Sequence, residues 1–382
     1  MHSSLFTTHT LSAKTLYRRR QTLLRQFFSR RDTLQSLEKR LAGHISALAL
    51  TSEPVPDAAP SCAAETFVQF AALLVSDREE LLTALNQWSG EDDTLDEAML
   101  YALTFCASPS TWKRLQIEMP SPARLELQIK ARSRLGKPLP ENELEEALDP
   151  SQPVSLQGAA LEHIGHCCPQ LLNVASARYH DSHAEIQLAA LSAGLRLGDH
   201  AASEALRSEF EPSTDPSVAE PGLLRLGAIA LPNQVMPSLE ILAEENPKDG
   251  LWLLALTGQR DAAATVLRKL QEPRSADDAA IAWQWLSGQA LPRRPRLHLV
   301  EAQQPSSDDN LPDPAHALQW WQQQETQWPA TQRRAFGIAL DENTAHTLAD
   351  SWSGQAGDAL SDIAALCHSH YDVEQGGKQC TN

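Results

Sequence analysis

Apolar residues recur every three or four positions along most of the chain, which is the spacing of one face of an α-helix. The clearest example is residues 181–210, where a run of leucine, isoleucine and alanine ends at Gly198 and Asp199 and a second apolar run follows. Glycine accepts the left-handed conformation that ends a helix, and aspartate caps the next one. Small residues such as Ala193 and Gly194 allow another helix to pack closely. The pattern predicts two short helices joined by a tight turn.

The same arrangement of two apolar runs around a turn recurs along the chain. Further copies lie at residues 95–119, 155–179, 220–244 and 249–270, with turns near Ser108-Pro109, Cys168-Pro169, Pro232-Asn233 and Gly258-Gln259. One helical pair cannot bury its apolar faces alone, so copies at intervals of about 30 residues indicate a stacked array. The predicted fold is all-α, a HEAT-like α-solenoid of stacked helical hairpins. A generic all-α domain is the alternative.

Proline clusters divide the chain into segments, because proline interrupts helices. The predicted segments are a basic helical segment at 1–52, a Pro-rich loop at 53–64, HEAT-like repeats at 65–290, a Pro-rich loop at 291–314, a Trp-rich C-terminal helical cap at 315–371 and a disordered tail at 372–382. The first segment contains an amphipathic stripe at helical spacing, made of Leu34, Leu37, Leu41, Ile45 and Leu48.

The net charge of the 382-residue chain is −17, which argues against nucleic-acid binding because phosphate recognition needs clustered lysine and arginine. Residues 1–50 differ, since they carry nine Lys and Arg against two acids. A basic start on an acidic body is compatible with self-complementarity in the fold or in an assembly and with two separate partner surfaces, and ordinary solvated helix faces are the simpler interpretation. Residues 1–31 also resemble an organellar transit peptide superficially.

The six cysteines and the apolar runs bear on the compartment. No CxxC occurs among Cys62, Cys106, Cys167, Cys168, Cys367 and Cys380, so we expect unpaired thiols in a reducing cytosol. No apolar run approaches the ~20 residues that span a bilayer. The prediction is a cytoplasmic protein without membrane insertion.

Two groups of residues have the composition of a metal site. His163 and His166 stand three positions apart beside Cys167 and Cys168, a spacing that could provide two metal ligands. No further ligands can be named for that group, so burial in a helix is the preferred interpretation. The pair His183 and Glu185 resembles the iron ligands of HEAT-like hydroxylases, but the other copies lack it, and the acid suits a helix start.

Few other residues or motifs indicate a catalytic or cofactor site. His368 and His370 have no acidic partner at helical spacing. The chain contains no GxxxxGK[ST], GxGxxG, GxSxG or HExxH motif, so the usual phosphate-binding, nucleophile and zinc arguments do not apply. We therefore expect no catalytic site, cofactor or metal, and a protein that is not an enzyme.

Six of the nine tryptophans lie in the last hundred residues: Trp283, Trp285, Trp320, Trp321, Trp328 and Trp352. Tryptophan anchors interfaces because it buries a large area with few rotors, although it also fills ordinary cores. The residues proposed for partner binding on this basis are Trp320, Trp321, Trp328, Arg333 and Arg334.

Two sets of residues, one near each end of the chain, fit known motifs in order. The C-terminal set is Leu311-Pro312, Asp313-Pro314, Trp320-Trp321, Trp328, Arg333-Arg334, Gly337 and Leu340, and the N-terminal set is Leu34, Leu37, Glu38, Arg40, Leu41, His44 and Leu48. In these residues the chain resembles a family of bacterial HEAT-repeat proteins encoded beside type VI secretion genes. The start of the chain has fewer acids than the family, and Gln284-Trp285 replaces a hydrophobic-small pattern. The resemblance implies a cytoplasmic location in a Gram-negative bacterium, and it brings no established active site to residues of this chain.

These observations favour a non-enzymatic protein-binding solenoid associated with type VI secretion. It would act as an adaptor or chaperone for an effector or spike-tip protein, and its acidic body suits a basic partner. One alternative is an immunity protein that neutralises a cognate toxin. A HEAT-like lyase or metal hydroxylase is a third hypothesis, from a different class.

Overall fold

The computed structural model describes residues 2–51, 62–76, 93–108, 121–210, 220–295 and 310–376. This part of the chain is mostly helical, as the all-α prediction requires. The chain divides into two compact units, one formed by residues 1–197 with 351–355 and the other by residues 198–350 with 356–382.

The elements of unit 1 are mainly helices. They are α1 (His2–Arg25), α2 (Arg31–Ala49), α3 (Ala63–Ser76), α4 (Asp93–Cys106), α5 (Pro122–Arg134), α6 (Glu141–Ala147), α7 (Val154–Cys167), α8 (Leu172–Ser176) and α9 (Ala184–Arg196). A short 3-10 helix, Pro169–Leu171, follows α7. Strand β1 (Ser29–Arg30) pairs antiparallel with the two-residue strand Trp352–Ser353, which belongs to this unit although it lies late in the chain.

The helices of unit 1 contact one another in chain order. α3 packs on α4, α4 on α5, α5 on α7, and α7 on α9. The last contact is close because Gly165 of α7 faces Ala193 of α9, where a Cβ on the glycine would lie 2.7 Å from the Ala193 Cα. The expectation that small residues near Ala193 admit a second helix is confirmed.

The N-terminal helices share an aromatic core. All five residues of the stripe on α2 are buried, as predicted: Leu34, Leu37, Leu41, Ile45 and Leu48. The Phe67 ring lies between Tyr17 and Tyr101, with ring centroids 4.7 and 5.0 Å away. The Arg20 guanidinium lies 3.3 Å from the Tyr101 ring centroid, and its Nε donates to Glu38 Oε1 at 2.8 Å. The basic start of the chain is therefore an integral part of this core.

Unit 2 combines helices with short strands. Its helices are α10 (His200–Ser208), α11 (Pro221–Ala230), α12 (Pro232–Glu245), α13 (Pro247–Thr257), α14 (Arg260–Lys269), α15 (Ala276–Ser287), α16 (Pro314–Gln324), α17 (Glu342–Ala349) and α18 (Gly354–Gly376), of which the first two residues of α18 belong to unit 1. The strands are β2 (Arg293–Pro295), β3 (Asn310–Pro312), β4 (Arg334–Ala335) and β5 (Ile338–Ala339), and β6 is the strand Trp352–Ser353 of unit 1.

Several predicted turns form as expected. Gly198 and Gly258 have the left-handed φ values of 74° and 64°, and the Asp199 carboxylate accepts from the Ala201 main-chain nitrogen at 3.1 Å to cap α10. In unit 2, α11 contacts α13 and α13 contacts α15. Alternate helices of this part of unit 2 therefore contact one another.

Other boundaries differ from the prediction. The loop predicted at 53–64 ends earlier, because α3 begins at Ala63. The loop predicted at 291–314 contains the antiparallel strands β2 and β3, and the cap contains the hairpin β4–β5, neither of which has a strand-like sequence pattern. Helix α18 runs through Gly376, into the predicted tail. The second helix of the 95–119 copy and the centres of both Pro-rich loops lie outside the described residues.

Two observations concern the compartment. The four cysteines whose side chains the structure describes form no disulfide: Cys62, Cys106, Cys167 and Cys168. Cys168 is buried and the others are half-buried. None of the helices in the described part of the chain combines the length and the apolar character needed to cross a bilayer.

Candidate protein-binding groove

The tryptophans of the cap pack inside unit 2. Trp320 meets Trp283 edge-on with ring centroids 5.3 Å apart, and Trp321 meets Trp328 at 5.9 Å. Trp321 and Trp328 are 7% and 1% exposed, while Trp320 is half-buried. The Trp328 Nε1 donates to the Gln332 carbonyl oxygen at 2.8 Å. These rings fill the interior of the cap.

The Arg333 guanidinium donates hydrogen bonds to three main-chain oxygens. Its Nη1 donates to the Ile229 carbonyl at 2.7 Å, its Nε to Thr257 at 2.9 Å and its Nη2 to Leu256 at 3.0 Å. These oxygens belong to the last turns of α11 and α13, where helix carbonyls lack intrahelical partners and the helix dipole favours a cation. Arg333 therefore caps two helices at once.

The Arg334 side chain also donates to a main-chain oxygen of the same unit. Its Nη2 donates to the Gln327 carbonyl oxygen at 2.6 Å, and its guanidinium lies 5.2 Å from the Trp328 ring centroid. Its main-chain nitrogen donates to the Gly258 carbonyl at 2.9 Å, which joins β4 to the turn between α13 and α14. The structure thus places all five sequence-predicted residues in internal contacts of unit 2. Their role in partner binding stays a prediction.

His163 is fully buried in α7. Its Nδ1 lies 2.9 Å from the Ser133 Oγ of α5, and that hydroxyl donates to the Ile129 carbonyl oxygen at 2.9 Å. A hydroxyl has one proton, so with this assignment His163 Nδ1 is the donor and cannot accept the proton of Ser133. His163 Nε2 has no hydrogen-bond partner. The pair is structural rather than a nucleophile with its base.

The neighbours of His163 do not form a metal site with it. Burial, together with the smaller effects of the positive charges of His166 and Arg132, lowers the pKa of His163 to about 4. Cys168 is buried, Cys167 is half-buried and His166 is exposed. Across the described ranges, no group of three or more His, Cys, Asp or Glu side chains is arranged to hold a metal ion.

His183 and Glu185 have separate surroundings. His183 is exposed, and its Nδ1 lies 3.1 Å from Asp181 Oδ1. Glu185 lies in the first turn of α9, where the helix dipole favours an acid, as the sequence suggests. The predictions for His368 and His370 fall on side chains outside those described.

Unit 1 contains a groove of about 770 Å³ lined by α4, α5, α7 and α9, the helices that stack in chain order. Leu100 and Leu127 provide apolar surface within it. Its ionisable side chains are Asp96, Glu97, Glu126, Lys130, Arg134, Glu162, His166 and Glu185. Five acids thus face two permanent cations and one histidine. A groove across successive repeats is the usual binding surface of stacked helical arrays.

Specific contacts fix parts of the groove wall. Glu126 accepts from Lys130 Nζ at 2.5 Å and from the Ser155 Oγ at 2.7 Å, which connects α5 with α7. Glu185 lies over Gly158 of α7, where a Cβ on the glycine would be 3.6 Å from the Glu185 Cγ. This is an ordinary van der Waals distance, so the Glu185 side chain lies directly against α7 at this position.

Glu162 lies at the centre of this charge pattern. Solvent still reaches its side chain, but the protein atoms of the groove crowd it and displace part of its hydration. This desolvation raises the pKa of Glu162, and Glu185 raises it further, while Lys130, Arg196 and Arg134 lower it. The net rise means that the desolvation of this carboxyl outweighs the attraction of the nearby cations.

Sequence reasoning missed the groove because its residues are dispersed. Each acid resembles an ordinary solvent-facing or helix-starting residue, and the four helices lie between residues 93 and 196. Two pairs at i, i+4 spacing, Glu126 with Lys130 and Glu162 with His166, occupy the groove faces of α5 and α7. A comparison of charged positions between adjacent repeats could have revealed this pattern.

Comparisons with protein-family models, with curated protein sequences and with solved structures find no match to this chain. The resemblance to HEAT-repeat proteins encoded beside type VI secretion genes therefore stays a prediction from the quoted motifs.

Proposed function

We propose that this chain is a non-enzymatic protein-binding protein that holds a basic segment of its partner in the groove of unit 1. The observation that carries the proposal is the lining of the groove by α4, α5, α7 and α9, which pack on one another in chain order and present an excess of acids. The partner's Lys or Arg side chains would pair with Glu162 and Glu185 and relieve their mutual repulsion. Such complementarity raises the association rate and specificity, with a strong salt dependence.

The proposed architecture is a HEAT-type array within each unit. Its support is the packing of α4, α5, α7 and α9 in chain order in unit 1, and of α11, α13 and α15 in unit 2. Arrays of this kind stack short helical pairs so that each pair contacts its neighbours, which leaves a continuous surface for a partner.

The proposed cellular role is that of a cytoplasmic adaptor or chaperone for a type VI effector or spike-tip protein. It rests on the resemblance of both chain ends and on the acidic groove. An immunity protein is the second candidate, because an acidic groove would also fit the basic cleft of a toxin that degrades nucleic acid.

The groove is tested by neutralising three of its acids in the full chain. We expect Glu97→Gln, Glu162→Gln and Glu185→Gln together to weaken binding of a fluorescent oligolysine peptide about tenfold, since each exposed pair contributes roughly 0.5 kcal/mol. Fluorescence anisotropy at several salt concentrations measures both the affinity and its salt dependence.

The matched control neutralises three exposed acids of α6 in the same unit, Glu141, Glu145 and Glu146. This variant has the same net charge as the groove variant, and we expect it to bind the peptide as the unmodified chain does. Equal affinities for the two triple variants would show that overall charge attracts the peptide, and would reject the groove as the site.

Adaptor and immunity roles predict different cellular results. An adaptor co-purifies with an effector and is needed for its export, and it gives no protection against a toxin. An immunity protein rescues cells that express the cognate toxin when it is supplied alone. In either case the groove variant should lose the effect and the α6 variant should keep it.

A further inference from the structure

His9 of α1 and His44 of α2 face each other across two adjacent helices. Their Nδ1 atoms lie 2.9 Å apart, and their ring centroids are 5.1 Å apart. Both side chains are half-buried, so solvent and small ions reach them. One proton must lie between the two nitrogens at this distance, because two facing lone pairs would repel each other.

We propose that His9 and His44 form a chelating site for a divalent transition metal ion, through the two Nδ1 atoms. Metal–imidazole bonds are about 2.0–2.1 Å long, and two such bonds at a right angle place the nitrogens about 2.9 Å apart. The observed separation equals that spacing. The 5.1 Å between the ring centroids shows that the two Nδ1 atoms now point at each other, so each ring turns to direct its nitrogen at a shared octahedral or square-planar Ni²⁺ or Cu²⁺ ion. The metal would join α1 to α2.

The protonation states are compatible with metal binding. Each neutral ring keeps one proton, so the ring that now donates through Nδ1 changes tautomer and carries its proton on Nε2. Burial, His9 and Arg40 all lower the pKa of His44, which keeps its ring in the neutral, metal-binding form at neutral pH. Water completes the coordination, since no third His, Cys, Asp or Glu side chain joins the pair within the described ranges.

The proposal is tested with Ni²⁺ as the probe, by isothermal titration of the full chain at pH 7.5. We expect His9→Gln and His44→Gln each to bind one equivalent fewer than the unmodified chain. The double variant should lose no more than either single one, because a chelate needs both rings. Sites elsewhere, such as thiols or the N-terminal amine, are common to all these proteins and cancel in the comparison.

His200→Gln is the matched control, since His200 is an exposed histidine on α10 that pairs with Glu204 at 3.4 Å. It should bind Ni²⁺ like the unmodified chain. Two outcomes would overturn the proposal. In one, each single variant loses Ni²⁺ binding independently and the losses add in the double variant. In the other, both single variants bind Ni²⁺ like the unmodified chain.

A second measurement on the unmodified chain avoids any effect of substitution on folding. Diethylpyrocarbonate modifies accessible imidazoles, and mass spectrometry locates each modified histidine. Ni²⁺ should protect His9 and His44 together and leave His200 reactive. Equal labelling of the pair with and without Ni²⁺ would exclude the chelate.

Discussion

The cap of unit 2 and the groove of unit 1 both concentrate charged side chains, but they satisfy them differently. In the cap, Arg333 and Arg334 donate to main-chain oxygens, and the adjacent Trp328 is almost fully buried. In the groove, five acids lie beside two permanent cations and one histidine, and solvent reaches the Glu162 carboxylate. The arginines of the cap already have hydrogen-bond acceptors within unit 2, whereas the groove has more acids than cations and can bind a basic ligand.

This difference shows why conspicuous sequence motifs can mislead about function. Tryptophan and arginine mark interfaces because they bury area and donate several hydrogen bonds, yet the same properties suit the closure of helix ends inside a domain. The acids of the groove attract little attention in the sequence, but stacking brings them together. A structural residue and a partner-binding residue are distinguished better by whether their polar groups already have hydrogen-bond partners than by residue type.

The largest expected effect concerns Arg333. Arg333→Ala removes three charge-assisted hydrogen bonds and leaves the carbonyls of Ile229, Leu256 and Thr257 without this donor. We expect the free energy of unfolding of unit 2 to fall by about 3–5 kcal/mol. Urea unfolding of the full chain, followed by tryptophan fluorescence, measures the change.

Two further variants sharpen this result. Arg333→Lys should recover only part of the loss, because an ammonium cannot reach three carbonyls in a planar fork. Arg274→Ala, at an exposed arginine of the same unit, should change the free energy by no more than about 0.5 kcal/mol. If Arg333→Ala behaved like Arg274→Ala, the cap arginine would be available for a partner after all.

The second prediction concerns the pH dependence of unit 1. The pKa of His163 is about 4 in the folded chain and about 6.5 in an unfolded one. The unfolded chain therefore binds more protons below pH 6.5, so stability is lost as the pH falls from 6.5 towards 4. Between pH 7.5 and pH 5 we expect this histidine to account for a loss of about 2 kcal/mol.

His163→Gln isolates this contribution. Glutamine can still bond to Ser133 but does not titrate, so the variant should lose less stability on acidification than the unmodified chain. Urea unfolding at pH 7.5, 6 and 5 provides the two slopes. Parallel slopes would show that other groups cause the pH dependence and that His163 is not held neutral.

Local patterns in the sequence predicted much of the helical structure. The stripe of α2 is buried as expected, and Gly198 and Gly258 end helices in the left-handed conformation because apolar spacing and turn chemistry are local properties. The hairpin β4–β5 was missed because its strands have two residues each. Its position depends on the docking of Arg334 against the Gly258 turn, which is a long-range contact.

The candidate site could not be predicted in the same way. Glu126 and Ser155 meet across 29 positions of sequence, and Glu162 and Glu185 lie on different helices. Their proximity depends on how closely α7 and α9 approach, which Gly165 permits. A pattern within one helix contains no information on this distance, whereas the acidic net charge of the chain correctly indicated the character of the groove.

The smallest expected effect is the most direct test of the contrast between groove and cap. Partial desolvation by the surrounding groove raises the pKa of Glu162, so the folded state disfavours its charge. Glu162→Gln should therefore stabilise unit 1 by a few tenths of a kcal/mol at pH 7, a value discounted because solvent reaches the side chain. The gain should vanish below about pH 4, where the carboxyl is protonated in both states. Urea unfolding at the two pH values measures it.

The same variant should bind the oligolysine peptide more weakly, which gives Glu162 opposite effects on folding and on binding. Glu145→Gln, at an exposed position of α6, should change neither quantity. A residue that opposes folding yet supports binding is one whose charge serves a partner, because packing alone would favour the neutral side chain. If Glu162→Gln instead destabilised unit 1, its carboxylate would serve the folded structure as the arginines of the cap do, and the distinction between the two regions would fail.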